Sequence, residues 1–157
     1  MISEMEYKTD KRTKNLTLRD IHVGDWVQVW SGQAERYSPP LKITQICDDG
    51  TIYLVTSDEE RCTPWEEDIK NVDALPIDAD LLRGFGFDVV SFFVDDIGYH
   101  IYHVFYKGLC IGALYHSNLI GYYFSSLGEK TKYMHEFCNI LYVREDKFIF
   151  EWKGIER

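Results

Sequence analysis

No stretch of this 157-residue sequence stays apolar for the roughly 18 residues that a membrane-spanning helix needs. Residues 1–20 are polar and charged throughout, so the apolar centre of a secretory leader is missing too. Cys47, Cys62, Cys110 and Cys138 are widely spaced, with no Cys-x-x-Cys pair among them. Without a leader, such cysteines read as reduced thiols packed as small hydrophobes, and the expected compartment is the cytoplasm. There is no Gly-rich phosphate loop, no Gly-x-Ser-x-Gly elbow and no His-Glu-x-x-His, so no motif names a reaction. A run of alternating oxygen ligands for calcium or magnesium is also missing. The expectation is a chain with no cofactor, no metal and no membrane span. Internal repeats and low-complexity segments are absent as well.

Positive charge is in short supply. Seventeen Lys and Arg face 26 Asp and Glu, for a net charge of −9. Residues 1–75 hold nine cations against fifteen carboxylates, and residues 76–157 hold eight against eleven. A phosphate backbone is held by clustered cations that release counterions, and the field of this chain opposes it. Nucleic acid is therefore a disfavoured partner, reachable only through a local patch such as the residue 8–14 tail or Lys107, Lys130 and Lys132.

What the chain does have is apolar and aromatic material. Hydrophobic residues make up 45%, enough for a core in one large domain or two small ones. Aromatics make up 15%, and eleven are tyrosine. Tyrosine suits half-buried sheet surfaces, with an apolar ring and a wet hydroxyl. The composition leans towards β structure and adhesive surfaces.

The pattern along the chain divides it into three. Residues 1–15 are polar, with Lys8, Lys11, Arg12 and Lys14 close together, and are expected to be a frayed, flexible tail. Residues 16–75 alternate in short runs. Gly24-Asp25 turns into Trp26-Val27-Gln28-Val29-Trp30, and residues 31–40 form a polar loop ending in two prolines. Residues 41–46 and 51–56 flank the tight Asp48-Asp49-Gly50 turn as a hairpin. A further short strand near Arg61 and Cys62 precedes Trp65 and the acidic Glu66-Glu67-Asp68. Strands this short and this closely spaced suggest a small SH3-like β-barrel.

Leu75-Pro76 marks the boundary. Residues 77–83 read as a short helix with Asp78 and Asp80 in its first turn, stopped by Gly84 and Gly86. Residues 87–94, 99–106, 109–115 and 119–124 then form an antiparallel meander. Asp95-Asp96 and Lys107-Gly108 sit in two of its turns. Met134, Phe137, Cys138, Leu141 and Tyr142 recur at helical spacing behind Thr131 as the expected N-cap. Glu145-Asp146 ends that helix, and residues 148–152 alternate as a closing strand. The fold class expected is α+β: an SH3-like barrel over 16–75, then an antiparallel sheet with one packed C-terminal helix over 76–157.

Three blocks carry a resemblance. Leu18-Arg19 with Val23-Gly24-Asp25-Trp26-Val27 is the first, and Leu75-Pro76-Ile77 with Leu81-Leu82 and Gly84-Phe85-Gly86-Phe87 is the second. The third runs from Tyr133 through Met134, His135, Glu136, Phe137, Cys138 and Asn139 to Leu141-Tyr142. In this order they resemble a family of small uncharacterised proteins of Bacteroides-type gut bacteria, found near prophage or conjugative elements. The resemblance spans Leu16 to the C-terminus and implies a cytoplasmic, mobile-element protein, with no activity to carry over. The chain departs from that pattern in its charged tail, its longer 31–40 loop, and Gly24-Asp25 where Gly-Asn is usual.

Candidate site residues are few. His100 and His103 sit on an alternating segment, where an odd offset sends the rings to opposite faces and rules out a shared metal ion. His135 and Asn139 lie at i and i+4 on the late helix and share a face. With Cys110 or Cys138 beside them they would make a Cys-His-Asn constellation, while a plain structural tie to a neighbouring loop is the favoured role. Trp26, Trp30, Tyr53 and Trp65 could form a ligand-binding face on the barrel. Trp26 and Trp30 share a strand face, and packing in the core is favoured for them. Asp58, Glu59 and Glu60 with Glu66, Glu67 and Asp68 form a solvated acidic rim. The sequence is therefore read as a non-enzymatic binding or accessory protein that engages another protein, or a second copy of itself, through exposed aromatics. The alternatives are a small enzyme built on His135 and Asn139, and a nucleic-acid-binding protein of a mobile element.

Overall fold

The computed structural model describes residues 12–56, 63–144 and 151–154, with residues 142–144 described by their backbone. The expected strand at Arg61 and Cys62, the Asp58–Glu60 part of the acidic rim, and the helix end at Glu145-Asp146 lie outside these residues. The chain divides into two compact units, Met1–Leu75 and Pro76–Arg157. It is an α+β protein whose first sheet is a curled half-barrel and whose second is an antiparallel meander.

The half-barrel is built on β1 (Trp26–Ser31). β2 (Arg36–Tyr37) and β3 (Leu41–Ile46) lie along one edge of it, with Trp30 opposite Tyr37 and Val27 opposite Leu41. Ser38 bridges the break between them, since its backbone N–H donates to the Val29 carbonyl and its Oγ accepts from the Val29 N–H, both at 2.9 Å. The 31–40 segment, expected to be all loop, thus contains a strand. The prolines at 39 and 40 interrupt the ladder after Tyr37 rather than preventing it. β4 (Thr51–Val55) returns from β3 through a turn in which Gly50 takes φ 95° and Asp49 accepts from the Thr51 N–H. β5 (Trp65–Asp68) pairs with β4. A 3-10 turn at Ile69–Asn71, N-capped by Asp68, then carries the chain to β6 (Val72–Asp73), which pairs with the other edge of β1. Val27, Val29, Leu41, Ile43, Ile52, Leu54 and Val72 fill the concave side.

The sheet continues beyond β6. Asn15 bridges to Asp73 in antiparallel sense, the Leu16 N–H donates to the Val72 carbonyl, and the Ala74 N–H donates to the Lys14 carbonyl. Residues 12–15, expected to fray, are therefore held against β6 as an extra partial strand.

In the second unit Asp78 caps α1 (Ala79–Gly84) by accepting from the Leu81 N–H at 2.7 Å. β7 (Asp88–Val94), β8 (His100–Tyr106), β9 (Leu109–Ser117), β10 (Gly121–Ser126) and β11 (Glu129–Thr131) form the meander, each strand antiparallel to the next. Lys107 and Gly108 both take positive φ in the β8–β9 turn, as a two-residue hairpin of this hand requires. Asp95 organises the β7–β8 turn by accepting from the backbone N–H groups of Ile97 and Tyr99. On β7, the last strand of the described sheet, Arg83 donates to the Val89 carbonyl at 2.9 Å, and the β7–β8 register slips between Ser91 and Phe93.

α2 (Met134–Arg144) begins two residues later than a Thr131 cap would place it. Thr131 ends β11 instead and bonds Tyr133 and Glu136. Met134, Phe137, Cys138 and Leu141 are fully buried, and Phe137 meets Phe87 and Phe124 edge-on at 5.3 and 4.8 Å. Gly112 lies beneath this core. A Cβ there would fall 2.6 Å from both Phe124 Cζ and the Ser125 carbonyl oxygen. Glu151 and Trp152, the described part of the expected closing strand, are not in a strand. Trp152 packs edge-on against Phe85 at 5.1 Å, over the bare backbone of Gly84. Among the described residues no helix is long and apolar enough to cross a membrane.

Asp25 couples the first unit to pH. Its side chain is buried, with Oδ2 accepting from the His22 N–H at 2.7 Å and Oδ1 without a hydrogen-bond partner among the described residues. Burial pushes its pKa from 3.8 up to about 6. The native state then holds a proton the unfolded chain has released, so this contribution to stability is full below about pH 4 and is lost as pH rises through 6. Asp25→Asn should be more stable than the wild type at pH 7.5 by about 2–3 kcal/mol. The gap should close by pH 4, as read from urea denaturation at both pH values.

Candidate functional site

β1 is three strands' worth of partner at once, and that concentrates side chains at its C-terminal end. Asp73 on β6 is fully buried, and a buried carboxylate must be paired to be tolerated. It is paired four times. Arg12 clamps both oxygens, Nε to Oδ2 at 2.9 Å and Nη2 to Oδ1 at 2.7 Å. Tyr37 donates its hydroxyl at 2.6 Å, and Asn15 donates its amide at 3.1 Å. Tyr37 also accepts from the Thr13 N–H at 2.6 Å. The hydrogen bond to Asp73 raises the Arg12 pKa, and burial followed by that same carboxylate raises the Tyr37 phenol.

This cluster sets one wall of a groove. The Arg12 guanidinium lies 5.9 Å from the Trp30 ring, and Trp30 meets Tyr37 edge-on at 4.9 Å. The groove occupies the open side of the half-barrel, between the β1–β2 hairpin and β5, with a volume of about 890 Å³. Trp30, Tyr37 and Pro39 line it on the hairpin side, and Trp65, Glu67 and Asn71 line it on the other. Arg36 also borders it. Rigid aromatic rings with a few polar groups are the composition of a peptide-binding cleft.

The four barrel aromatics singled out in the sequence have three different fates. Trp30 and Trp65 come together in the groove, Trp65 with 43% of its surface exposed. Trp26 shares a strand face with Trp30 but is fully buried. Tyr53 is half-buried and paired with Glu66, on the face of β4 away from buried Ile52 and Leu54. Neither Trp26 nor Tyr53 lines the groove. Tyr37, Arg36 and Asp73 went unnoticed in the sequence, Glu67 was read there as part of a solvated acidic rim, and Arg12 as part of a basic tail. A tyrosine closing a polar loop just before Ser-Pro-Pro was the only signal for Tyr37.

His135 is 3% exposed, with its ring stacked on Tyr133 at 6.0 Å, and Asn139 is half-buried one turn on. Cys138 is interior, Cys110 is exposed and Cys47 is half-buried, and all three are free thiols. His100 and His103 take opposite faces of β8. His100 bonds Ser91 at 2.7 Å and stacks on Tyr102, whereas His103 stacks on Phe92. No carboxylate orients His100 among the described residues, so the Ser91–His100 pair lacks the third member of a nucleophilic triad. Tyr122 stands close by at 4.4 Å from His116, its pKa pushed up to about 12 by burial and by Tyr102. Lys107 and Lys130 lie over Tyr106 and Tyr123. No three metal-ligating side chains converge among the described residues.

The chain was compared with known proteins. No family model, curated protein or solved structure matches it. The functional reading therefore stands on the groove itself.

Arg12→Ala leaves Asp73 buried with two of its partners and strips a cation from Trp30. The expected cost is about 2 kcal/mol in denaturant unfolding, with the Trp30 emission shifting to the red as its ring becomes wet.

Proposed function

We propose that the chain is a non-enzymatic binding protein that grips an extended segment of another protein in the groove of its first unit. The single observation that carries this reading is the convergence of Trp30, Tyr37 and Trp65 on one open cleft, with Pro39, Asn71 and Glu67 between them. Aromatic side chains bring large contact area at low entropic cost, and they dominate the energetics of recognition surfaces. The Arg12–Asp73–Tyr37 clamp supports it further, since it holds the hairpin wall in place before any partner arrives. We read this first unit as an SH3-like barrel. That reading is supported by the 3-10 turn that carries the chain from β5 to the far edge of β1.

Panning a random-peptide display library on the immobilised full chain tests the proposal. Selected peptides should lose about tenfold or more in affinity on Trp30→Ala or Trp65→Ala, measured by calorimetry. Peptides that bind both variants as tightly as the wild type would overturn it, provided the variants keep the wild-type circular dichroism.

A further inference from the structure

We propose that Trp65 and Glu67 form a receptor for an arginine side chain carried by the partner segment, an inference that rests on the groove reading and names what the groove selects. The two residues sit at i and i+2 on β5, opposite Leu54 and Ile52 of β4, so both project from the same face of the strand into the groove. The Trp65 indole has no ring contact or hydrogen bond among the described residues and is 43% exposed. The Glu67 carboxylate is half-buried and likewise has no hydrogen-bond or ion-pair partner among the described residues. Arg36 borders the same groove without pairing with it.

The other wall shows what such a pair holds. There a tryptophan and a carboxylate, Trp30 and Asp73, receive the guanidinium of Arg12, which makes two hydrogen bonds to the carboxylate and lies over the ring. Two indoles thus border the groove, Trp30 with the Arg12–Asp73 ion pair beside it and Trp65 with Glu67 two residues along the strand. The first indole and carboxylate hold the chain's own arginine, and the second hold no cation among the described residues. A guanidinium suits the second better than an ammonium does. Its plane stacks on an indole while its edge offers two parallel N–H donors to a carboxylate, and a lysine presents only a point charge. The excess of carboxylates over residues 1–75, fifteen against nine cations, steers a cationic segment towards this unit.

The test uses the isotope-labelled full chain titrated with N-acetyl-arginine amide, N-acetyl-lysine amide and N-acetyl-citrulline amide, the last a neutral isostere of arginine. Arginine amide should shift the Trp65 indole N–H and the Glu67 amide in a saturable way, lysine amide should bind more weakly, and citrulline amide should leave both in place. Glu67→Gln, at an edge-strand position, should weaken arginine amide by about tenfold, and Arg36→Ala should not weaken it. Trp65→Leu should abolish the saturable shift of the Glu67 amide, and should that variant fail to fold, Glu67→Gln decides alone.

Equal shifts from arginine and citrulline, or an unchanged affinity in Glu67→Gln, would overturn the receptor. So would shifts centred on Trp30 and Asp73, which would mean displacement of Arg12. The two readings fail separately. Groove-dependent library peptides without arginine, together with a citrulline response equal to that of arginine, remove the receptor and leave the groove. Library peptides indifferent to Trp30 and Trp65 remove the groove itself.

Discussion

The buried carboxylate of Asp73 is the constraint around which the first unit is arranged. A charge in that position is tolerated only if the chain delivers partners to it, and the partners come from two places that are distant from it in sequence. Arg12 and Asn15 arrive from the N-terminal side, Tyr37 from the hairpin, and Asp73 itself ends the last strand. Satisfying one group therefore docks residues 12–16 on β6 and pins β2 to β1. It also fixes the orientation of Trp30. The groove is a by-product of that arrangement, since Tyr37 of its hairpin wall is already committed to the carboxylate.

Much of the backbone was legible in the sequence. The alternation of residues 26–30, 41–46 and 51–55 reports strands with one apolar face, and Asp48-Asp49-Gly50 reports the turn that joins two of them. The helical spacing of Met134, Phe137, Cys138 and Leu141 reports α2 for the same reason, because a long buried stripe leaves a strong periodic trace. β5 left no such trace. Trp65-Glu66-Glu67-Asp68 is acidic and mostly exposed, and it belongs to the sheet through backbone pairing with β4 rather than through burial. β2 and β11 are too short to show a period at all.

The site was less legible than the fold. Local period puts Trp26 and Trp30 on one face of β1 correctly. It cannot say that Trp26 is sealed in the interior while Trp30 opens onto the groove. Trp30 and Trp65 were visible one at a time, yet their meeting depends on the curl of the sheet, which no short window records. Arg12 looked like a member of a solvated basic tail, because nothing in its neighbours names Asp73 as its partner.

The edge of β7, which no other described strand pairs with, carries one more consequence. That strand is seven residues long, and Val90, Phe92, Phe93 and Val94 are all exposed along it. Such a strand would ordinarily template the addition of another strand from a neighbouring chain. Here the Arg83 side chain already occupies the Val89 carbonyl, and the irregularity between Ser91 and Phe93 throws the ladder out of phase midway. An approaching strand can keep register with only one half of the edge at a time. The most hydrophobic rim of the meander is thereby protected from runaway polymerisation by a single arginine and one surplus residue, at no expense to the core beneath it.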